Sequence, residues 1–179
     1  RGERLTPAAL GLVASLGLPT VTVFRRLKVA YFSTGDEILS LGEPPREGAV
    51  YDSNRYTVFG LLTRLGVEVI DMGVVRDDPA LLEAAFTEAA QRADAIITSG
   101  GVSVGEADVA FWRIAMRPGR PMAVGRIAAS GLQAKTAPSA QPASAGSYQN
   151  DINTSTGGAV LFGLPGNPVA VMVTFLAFV

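Results

Sequence analysis

The stretch Lys28-Val29-Ala30-Tyr31-Phe32-Ser33-Thr34 is a short apolar run that ends at Gly35. A run of this length bounded by glycine is typical of a buried strand. Further elements are predicted at these positions: a helix over 54–65, a strand over 67–75, a helix from 79 to about 92, strands over 94–98, 121–127 and 159–163, and a terminal helix over 169–179. Strands that alternate with helices of this length form βαβ units. The sequence therefore predicts a three-layer αβα domain of the α/β class, with a mostly parallel sheet between two layers of helices.

Capping residues set the predicted ends of the two internal helices. Ser53 is predicted to cap the first helix, and Gly66 stands where a C-terminal cap glycine belongs. Asp78 before Pro79 is a cap followed by proline at the first helical position. The apolar face of the first helix is predicted from residues at helical spacing: Tyr56, Phe59, Leu62 and Leu65.

Cysteine and histidine are both absent from the 179 residues, and this limits the possible chemistry. Their absence excludes disulfides, thiolate metal sites, histidine bases, Ser-His-Asp triads and histidine-bound zinc. Any metal must therefore be held by oxygen, which favours a hard ion such as magnesium. A net charge of −1 provides no basic field for nucleic acid or an anionic membrane, so neither is an expected partner.

The hydrophobic fraction of 48% is enough for a large core and argues against disorder. No secretory leader is expected, because three of the first four residues are charged and no long apolar segment follows them. The most apolar stretch, 169–179, is too short to span a bilayer. Together with the missing cysteines, these features predict a cytoplasmic protein.

Polar residues follow three of the predicted strands where each strand ends. They are Thr34-Gly35-Asp36-Glu37, Arg76-Asp77-Asp78 and Ser99-Gly100-Gly101. Right-handed crossovers bring the carboxyl ends of parallel strands to one edge of the sheet, and ligands of such sheets bind there. The three clusters should thus face one crevice that combines carboxylates with a glycine turn. Such a crevice suits magnesium and a phosphate-bearing ligand.

Each of these features also has a purely structural interpretation. Gly100-Gly101 is equally compatible with a tight turn, and Asp78 is better explained as a helix cap than as a ligand. A further set of basic residues is either a solvated face or, taken together, a segment that grips an oxyanion. This set comprises Arg113, Arg117, Arg120 and Arg126.

Five motifs resemble those of the molybdopterin molybdotransferase family, in the same order along the chain. They are 33–37 (STGDE), 51–55 (YDSNR), 76–79 (RDDP), 99–108 (SGGVSVGEAD) and 164–169 (LPGNPV). The fourth is long and specific. The resemblance implies the family's molybdopterin-binding fold, which agrees with the α/β pattern of the sequence.

The resemblance also implies a function: molybdenum is inserted from molybdate into adenylylated molybdopterin, with magnesium as cofactor and AMP released. Carried over by motif, the metal ligands would be Glu37, Asp77, Asp78 and Asp108. The catalytic group would comprise Glu37, Asp77, Asp108, Arg113 and Arg117. The substrate-binding group would comprise Thr34, Gly35, Asp36, Asp52, Asn54, Ser99, Gly100, Gly101, Ser103, Gly105, Pro165, Gly166 and Asn167.

The chain departs from the family pattern in three places. Asp108 runs directly into Val109, where the family generally has a helix; we favour residues missing from this sequence over a deletion, because that helix should border the site. Arg113 and Arg117 stand where many relatives carry lysine. Residues 128–158 are rich in small and polar residues where the family has a short connection, which indicates a flexible insertion.

Residues 1–24 resemble the tail of a preceding domain with its linker, and 25–179 the molybdopterin-binding domain itself. The resemblance implies a homodimer with the site between domains of two subunits, and the adenylyltransferase of the same pathway is a further candidate partner. A fragment of this kind is expected to carry the substrate-binding core without the complete site.

Three other groups of proteins are alternatives. Molybdopterin adenylyltransferases share the fold, but should lack the STGDE and LPGNPV pair. Damage-inducible proteins have a similar TGDE start but are expected to carry a different glycine loop. Scaffold proteins of animal synapses use the domain to bind receptor peptides, and an apolar patch beside the sheet edge would support that alternative.

Overall fold

The computed structural model describes residues 2, 4–100, 109–113, 121–128 and 158–179. The ordered elements are α1 (Pro7–Ser15), β1 (Lys28–Thr34), β2 (Ile38–Leu39), β3 (Val50–Tyr51), α2 (Ser53–Leu65), β4 (Glu68–Val75), α3 (Pro79–Arg92), β5 (Ala95–Ser99), β6 (Val109–Arg113), β7 (Pro121–Ala128), β8 (Gly158–Leu164) and α4 (Pro168–Phe178). The internal predicted elements are therefore confirmed to within one or two residues at their ends.

The main sheet has six strands in the order β4-β1-β5-β8-β7-β6. Strands β4, β1, β5 and β8 are parallel, whereas β7 is antiparallel to β8 and β6 is antiparallel to β7. The short strands β2 and β3 form a separate parallel pair. The prediction of a mostly parallel sheet is confirmed, and the antiparallel edge that ends in β6 is an element that the sequence did not reveal.

Strand β1 is buried on both faces and separates two apolar clusters. Val29 and Tyr31 pack on the side of α2 and α4, whereas Ala30 and Phe32 pack on the side of α3. The ring of Phe32 meets that of Phe86 edge-on, with 5.1 Å between their centroids. Helices thus cover both faces of the sheet, which confirms the three αβα layers.

The first turn of α2 differs from the prediction in its cap and in its buried face. Asp52, not Ser53, is the N-cap, and its carboxylate accepts a hydrogen bond from the amide of Arg55. Val58 and Leu62 are the apolar residues that α2 buries. Three of the four residues predicted for that face are exposed instead: Tyr56, Phe59 and Leu65. The buried residues of α2, Asn54, Val58 and Leu62, recur every four positions. The helix therefore faces the core with this stripe and not with the predicted one.

The remaining predicted caps are confirmed. Asp78 caps α3, with Oδ1 accepting from the amides of Ala80 and Leu81 at 3.0 Å each, and Pro79 opens the helix. Gly66 closes α2 in the left-handed conformation with a φ of 76°.

Two predicted boundaries concern the ends of the described core: the division at residue 24 and the insertion at 128–158. Helix α1 buries no residue. Arg25, by contrast, forms an ion pair with Asp94, the residue before β5, with 2.5 Å between Arg25 Nη2 and Asp94 Oδ1. The predicted insertion falls between Ala128 and Gly158, which pair with each other at the ends of β7 and β8. Its interior lies outside the described residues, and the division at residue 24 stays a prediction.

Among the helices described, none has the length and hydrophobicity needed to cross a membrane.

Candidate functional site

The carboxyl ends of four parallel strands meet at one edge of the sheet. Thr34 at the end of β1 is in register with Val75 at the end of β4. Ser99 at the end of β5 is in register with Ser33 of β1 and with Leu164 of β8. The structure therefore brings together the three polar clusters that follow these strands, as the βαβ pattern predicted.

Gly100 makes a close backbone contact at the centre of this edge. Its φ is +118°, and its amide donates a hydrogen bond to the carbonyl of Leu164 at 3.3 Å. A Cβ at this position would lie 2.4 Å from the carbonyl oxygen of Thr34 and 2.5 Å from its Oγ1. A Cβ on Gly166 would lie 3.7 Å from the Cα of Gly100. Glycine is therefore required at position 100 for packing, and the choice between a tight turn and a phosphate-binding role for Gly100-Gly101 stays open because Gly101 lies outside the described residues.

A cluster of three buried hydroxyl groups lies at the ends of β1 and β5, beside this turn. Tyr31 Oη lies 2.6 Å from Ser99 Oγ and 2.8 Å from Ser33 Oγ, and the two serine oxygens are 3.2 Å apart. Burial raises the pKa of the Tyr31 hydroxyl to about 12, because the phenolate would be desolvated. Sequence reasoning placed Ser99 at the site but missed Tyr31, which looked like an ordinary apolar strand residue.

The start of α2 is tied to the same edge by Asn54. Its Nδ2 donates to the carbonyl of Gly166 at 2.7 Å. Asp52 and Asn54 are both buried, and among the described residues Asp52 Oδ2 and Asn54 Oδ1 have no hydrogen-bond partner. Buried oxygens of this kind are rare in folded proteins, and ordered water or a ligand usually satisfies them. Asn54 therefore ties the loop around Gly166 to the start of α2, which Asp52 caps.

The LPGNPV turn fixes the start of α4. Asn167 is the N-cap, and its Oδ1 accepts from the amides of Val169 and Ala170 at 3.0 and 3.2 Å. Pro165 is buried, whereas Gly166 and Asn167 are exposed at the edge. This turn therefore places Gly166 beside Gly100 and leaves its outer surface accessible.

The acidic residues of the edge fall into two kinds. Asp78 uses its carboxylate to cap α3, and Asp36 Oδ1 accepts a hydrogen bond from the amide of Asp77 at 3.3 Å. The Glu37 carboxylate lies over Gly35, where a Cβ would be 2.7 Å from Glu37 Oε2. Glu37 and Asp77 are exposed, and their carboxylates have no partner among the described residues. Within the described part of the chain, no three acidic residues are grouped closely enough to form a metal site by themselves.

A cavity of about 480 Å³ opens at the β1–β4 end of the edge. Its walls come from the residues that follow β1, from β2, from the loop between β2 and β3, and from the end of β4. Its charged residues are Asp36, Glu43, Arg46 and Arg76. Gly35 and Asp36, which were expected to contact substrate, line it. Arg46 was not singled out in the sequence, because the proline-rich loop that carries it gave no sign of folding back onto the edge.

Several residues that the motifs implied cannot be placed. Gly101, Ser103, Gly105, Asp108 and Arg117 lie outside the described residues. The backbone of Arg113 ends β6, opposite Pro121 of β7, and its side chain also lies outside the described part. The roles assigned to these residues stay predictions.

Residues 30–179 match a known protein family described as a probable molybdopterin binding domain. The chain belongs to this family. The resemblance inferred from the five motifs is therefore confirmed.

The chain is similar to curated proteins along its whole length. It is 42% identical to the molybdopterin molybdenumtransferase of Haemophilus influenzae, covering 100% of this chain and 40% of that protein. It is 36% identical to the molybdopterin molybdenumtransferase of Nostoc sp., covering 98% of this chain and 37% of that protein. The chain thus spans about two fifths of the length of these relatives.

A solved structure shows the same fold. The molybdopterin biosynthesis MoeA protein from Pyrococcus horikoshii superimposes with a TM-score of 0.69 at 30% identity, covering 98% of this chain and 39% of that one. The predicted fold class, a mostly parallel αβα domain of the molybdopterin-binding type, is confirmed by this match.

Proposed function

We propose that this domain forms the substrate-binding core of a molybdopterin molybdotransferase. In this reaction molybdenum from molybdate is inserted into adenylylated molybdopterin, and AMP is released. The observation that carries the proposal is the meeting of three strand ends, where Gly100 after β5 packs against Thr34 at the end of β1 and donates to Leu164 at the end of β8. The similarity to named molybdopterin molybdenumtransferases over the whole chain supports the same assignment.

The carboxyl edge suits a phosphate-bearing ligand for two physical reasons. Gly166 is exposed beside Gly100 and carries no side chain, so a ligand can approach the backbone there. The turn is also held rigidly, because Gly100 is wedged against Thr34 and Asn54 anchors Gly166. A binding surface that is ordered beforehand loses less conformational entropy when the ligand arrives.

The donors at this edge fit magnesium rather than a softer metal. Magnesium prefers oxygen ligands, and it commonly takes one or two carboxylates with water and substrate phosphate. Glu37 and Asp77 present unpartnered, exposed carboxylates, so these two would hold the ion, whereas the carboxylate of Asp78 is engaged by α3. When bound, magnesium supplies charge neutralisation of the pyrophosphate. The residues of this chain bind and orient the adenylylated pterin.

The proposal includes the wider setting of the reaction. The dithiolene sulfurs of the substrate would ligate molybdenum, so the protein needs no nucleophile, in agreement with the absence of cysteine and histidine. Arg113 and Arg117 would grip molybdate or the leaving phosphate. Two copies of the full-length protein would complete the site in the cytoplasm, and the adenylyltransferase of the pathway would deliver the substrate.

A release assay tests this function. Full-length protein is loaded with adenylylated molybdopterin and magnesium, and AMP is measured before and after molybdate is added. We expect release only after the addition, and a Glu37→Gln variant should lose most of it because the ion loses a charged ligand. The control is Glu83→Gln, an exposed carboxylate on α3, which should behave like the wild type. Release without molybdate, or full activity of Glu37→Gln, would contradict the proposal.

A further inference from the structure

The cavity beside β1 contains two arginine side chains that lack a carboxylate partner. Arg46 and Arg76 both line it, and neither forms an ion pair within the described residues. The two carboxylates in the same wall accept from backbone amides instead: Glu43 Oε1 from Ser40 at 2.9 Å, and Asp36 Oδ1 from Asp77 at 3.3 Å. Neither guanidinium group is therefore neutralised by a carboxylate of the described residues, and Arg46 still has N–H donors beyond the one that it gives to the carbonyl of Asp36.

The loop that carries Arg46 is fixed in place by its own hydrogen bonds. The guanidinium of Arg46 donates to the carbonyl of Asp36, which draws the loop onto the end of β1. Tyr51 Oη donates to the carbonyl of Glu43 at 2.9 Å, and the amide of Ala49 donates to the carbonyl of Arg46 at 3.2 Å. A side chain that is positioned in this way loses less entropy on binding than a free surface arginine.

Arg76 is brought to the same cavity by strand pairing. It directly follows β4, whose last residue Val75 is in register with Thr34 and accepts a hydrogen bond from the amide of Gly35 at 3.4 Å. Arg46 and Arg76 therefore line one cavity together with Asp36 and Glu43, whose carboxylates are held by backbone amides. Guanidinium groups bind tetrahedral oxyanions through paired N–H donors, which makes arginine the preferred residue for this task.

We propose that Arg46 and Arg76 form a binding site for a tetrahedral oxyanion that is distinct from the glycine turn. Arg76 follows β4 and Gly100 follows β5, so two strand spacings, about 10 Å in total, separate the two places, with β1 between them. The cavity of about 480 Å³ exceeds the space that a bare oxyanion needs. It accommodates either a free oxyanion with its water or the phosphate of a nucleotide.

This inference does not depend on the proposed insertion reaction, because binding is measured without turnover. Calorimetric titrations of the full-length protein, with magnesium present throughout, use sodium molybdate in one series and AMP in another. The variants are Arg46→Ala and Arg76→Ala. The matched control is Arg64→Ala, an exposed arginine in the last turn of α2 without an ion-pair partner. Because α2 begins at the carboxyl edge, its last turn lies at the opposite edge of the sheet.

We expect each cavity variant to bind the recognised anion about tenfold more weakly, as is usual for a lost charge-assisted hydrogen bond, while Arg64→Ala is unchanged. A loss confined to AMP identifies a nucleotide phosphate as the source, and a loss with molybdate identifies a free oxyanion. Arg76→Lys keeps the charge but loses the paired donors, so its affinity for the anion should lie between those of the wild type and Arg76→Ala. This variant replaces Arg76→Ala in the test if the alanine variant does not fold. Equal affinities of both cavity variants and Arg64→Ala, or no binding of either anion to the wild type, would overturn the inference.

Discussion

Replacement of Gly100 by alanine tests whether the contact between β1 and β5 organises the edge of the sheet. The new Cβ would lie 2.4 Å from the carbonyl oxygen of Thr34, and this atom belongs to the backbone of a buried strand. It cannot rotate away as a side chain could. The backbone at φ +118° is also unfavourable for alanine.

Two costs add in this variant. A residue held in a sparsely populated region of φ and ψ costs about 1–3 kcal/mol. Overpacking of a filled site costs about 1–3 kcal/mol more. Gly66→Ala separates the two, because Gly66 has a φ of +76° but nothing within 4 Å of its Cβ position. We expect Gly100→Ala to be less stable than Gly66→Ala by at least about 1–3 kcal/mol, the steric part of the cost, because φ +118° is also less accessible to alanine than φ +76°.

Urea unfolding followed by circular dichroism measures this difference, and AMP calorimetry on the same proteins measures its effect on binding. If the chain relieves the clash by moving Gly100 away from Thr34, the ligand surface moves with it, so affinity should fall in Gly100→Ala and stay unchanged in Gly66→Ala. Equal destabilisation by both substitutions would refute the argument, because the contact with Thr34 would then carry no energy.

The shifted pKa values of Asp94 and Tyr31 give further predictions. Arg25 holds the pKa of the Asp94 carboxyl at about 2, below the ordinary 3.8, so the stability due to this pair is present above pH 3.8 and is lost as the pH falls toward 2. Asp94→Asn should cost about 1 kcal/mol at neutral pH, since the pair is partly exposed, and the gap to the wild type in urea unfolding should close over that acidic range. Burial raises the pKa of Tyr31 to about 12, so its stabilising effect is complete below pH 10 and is lost as the pH rises toward 12. Absorbance titration of tyrosinate should show a late step that Tyr31→Phe removes, and an unchanged titration would place Tyr31 in contact with solvent.

The regular part of the fold was predictable because its signals are local. The apolar run 28–34, the Asp78-Pro79 cap and Gly66 each act through a few neighbouring residues, and each appears in the structure as expected. The error at α2 has a clear cause. Both Asp52 and Ser53 can cap a helix, and the choice depends on Asn54 reaching Gly166, more than a hundred positions away.

The sequence predicted the position of the candidate site but not the contacts within it. Parallel strands bring their ends together, so the position of the polar clusters followed from topology. The details depend on contacts between distant residues: Gly100 against Thr34, Tyr31 against Ser99, and Arg46 against Asp36. A β-bulge also shifts the pairing of β1 and β4 next to Gly73, which alters where Arg76 emerges. None of these contacts leaves a periodic or capping signal in the sequence.

The arrangement of charge along the edge gives a physical reason for a cation in the proposed site. The glycine turn lies on one side of β1 and the arginine cavity on the other. Asp36, Glu37 and Asp77 follow β1 and β4, so an anionic ligand that reached from Gly100 to Arg76 would pass these carboxylates. Like charges at short range repel by several kcal/mol in a partly desolvated crevice, unless a cation lies between them. Magnesium held by Glu37 and Asp77 would turn this repulsion into attraction, and the edge would then favour the anionic ligand only when the ion is present.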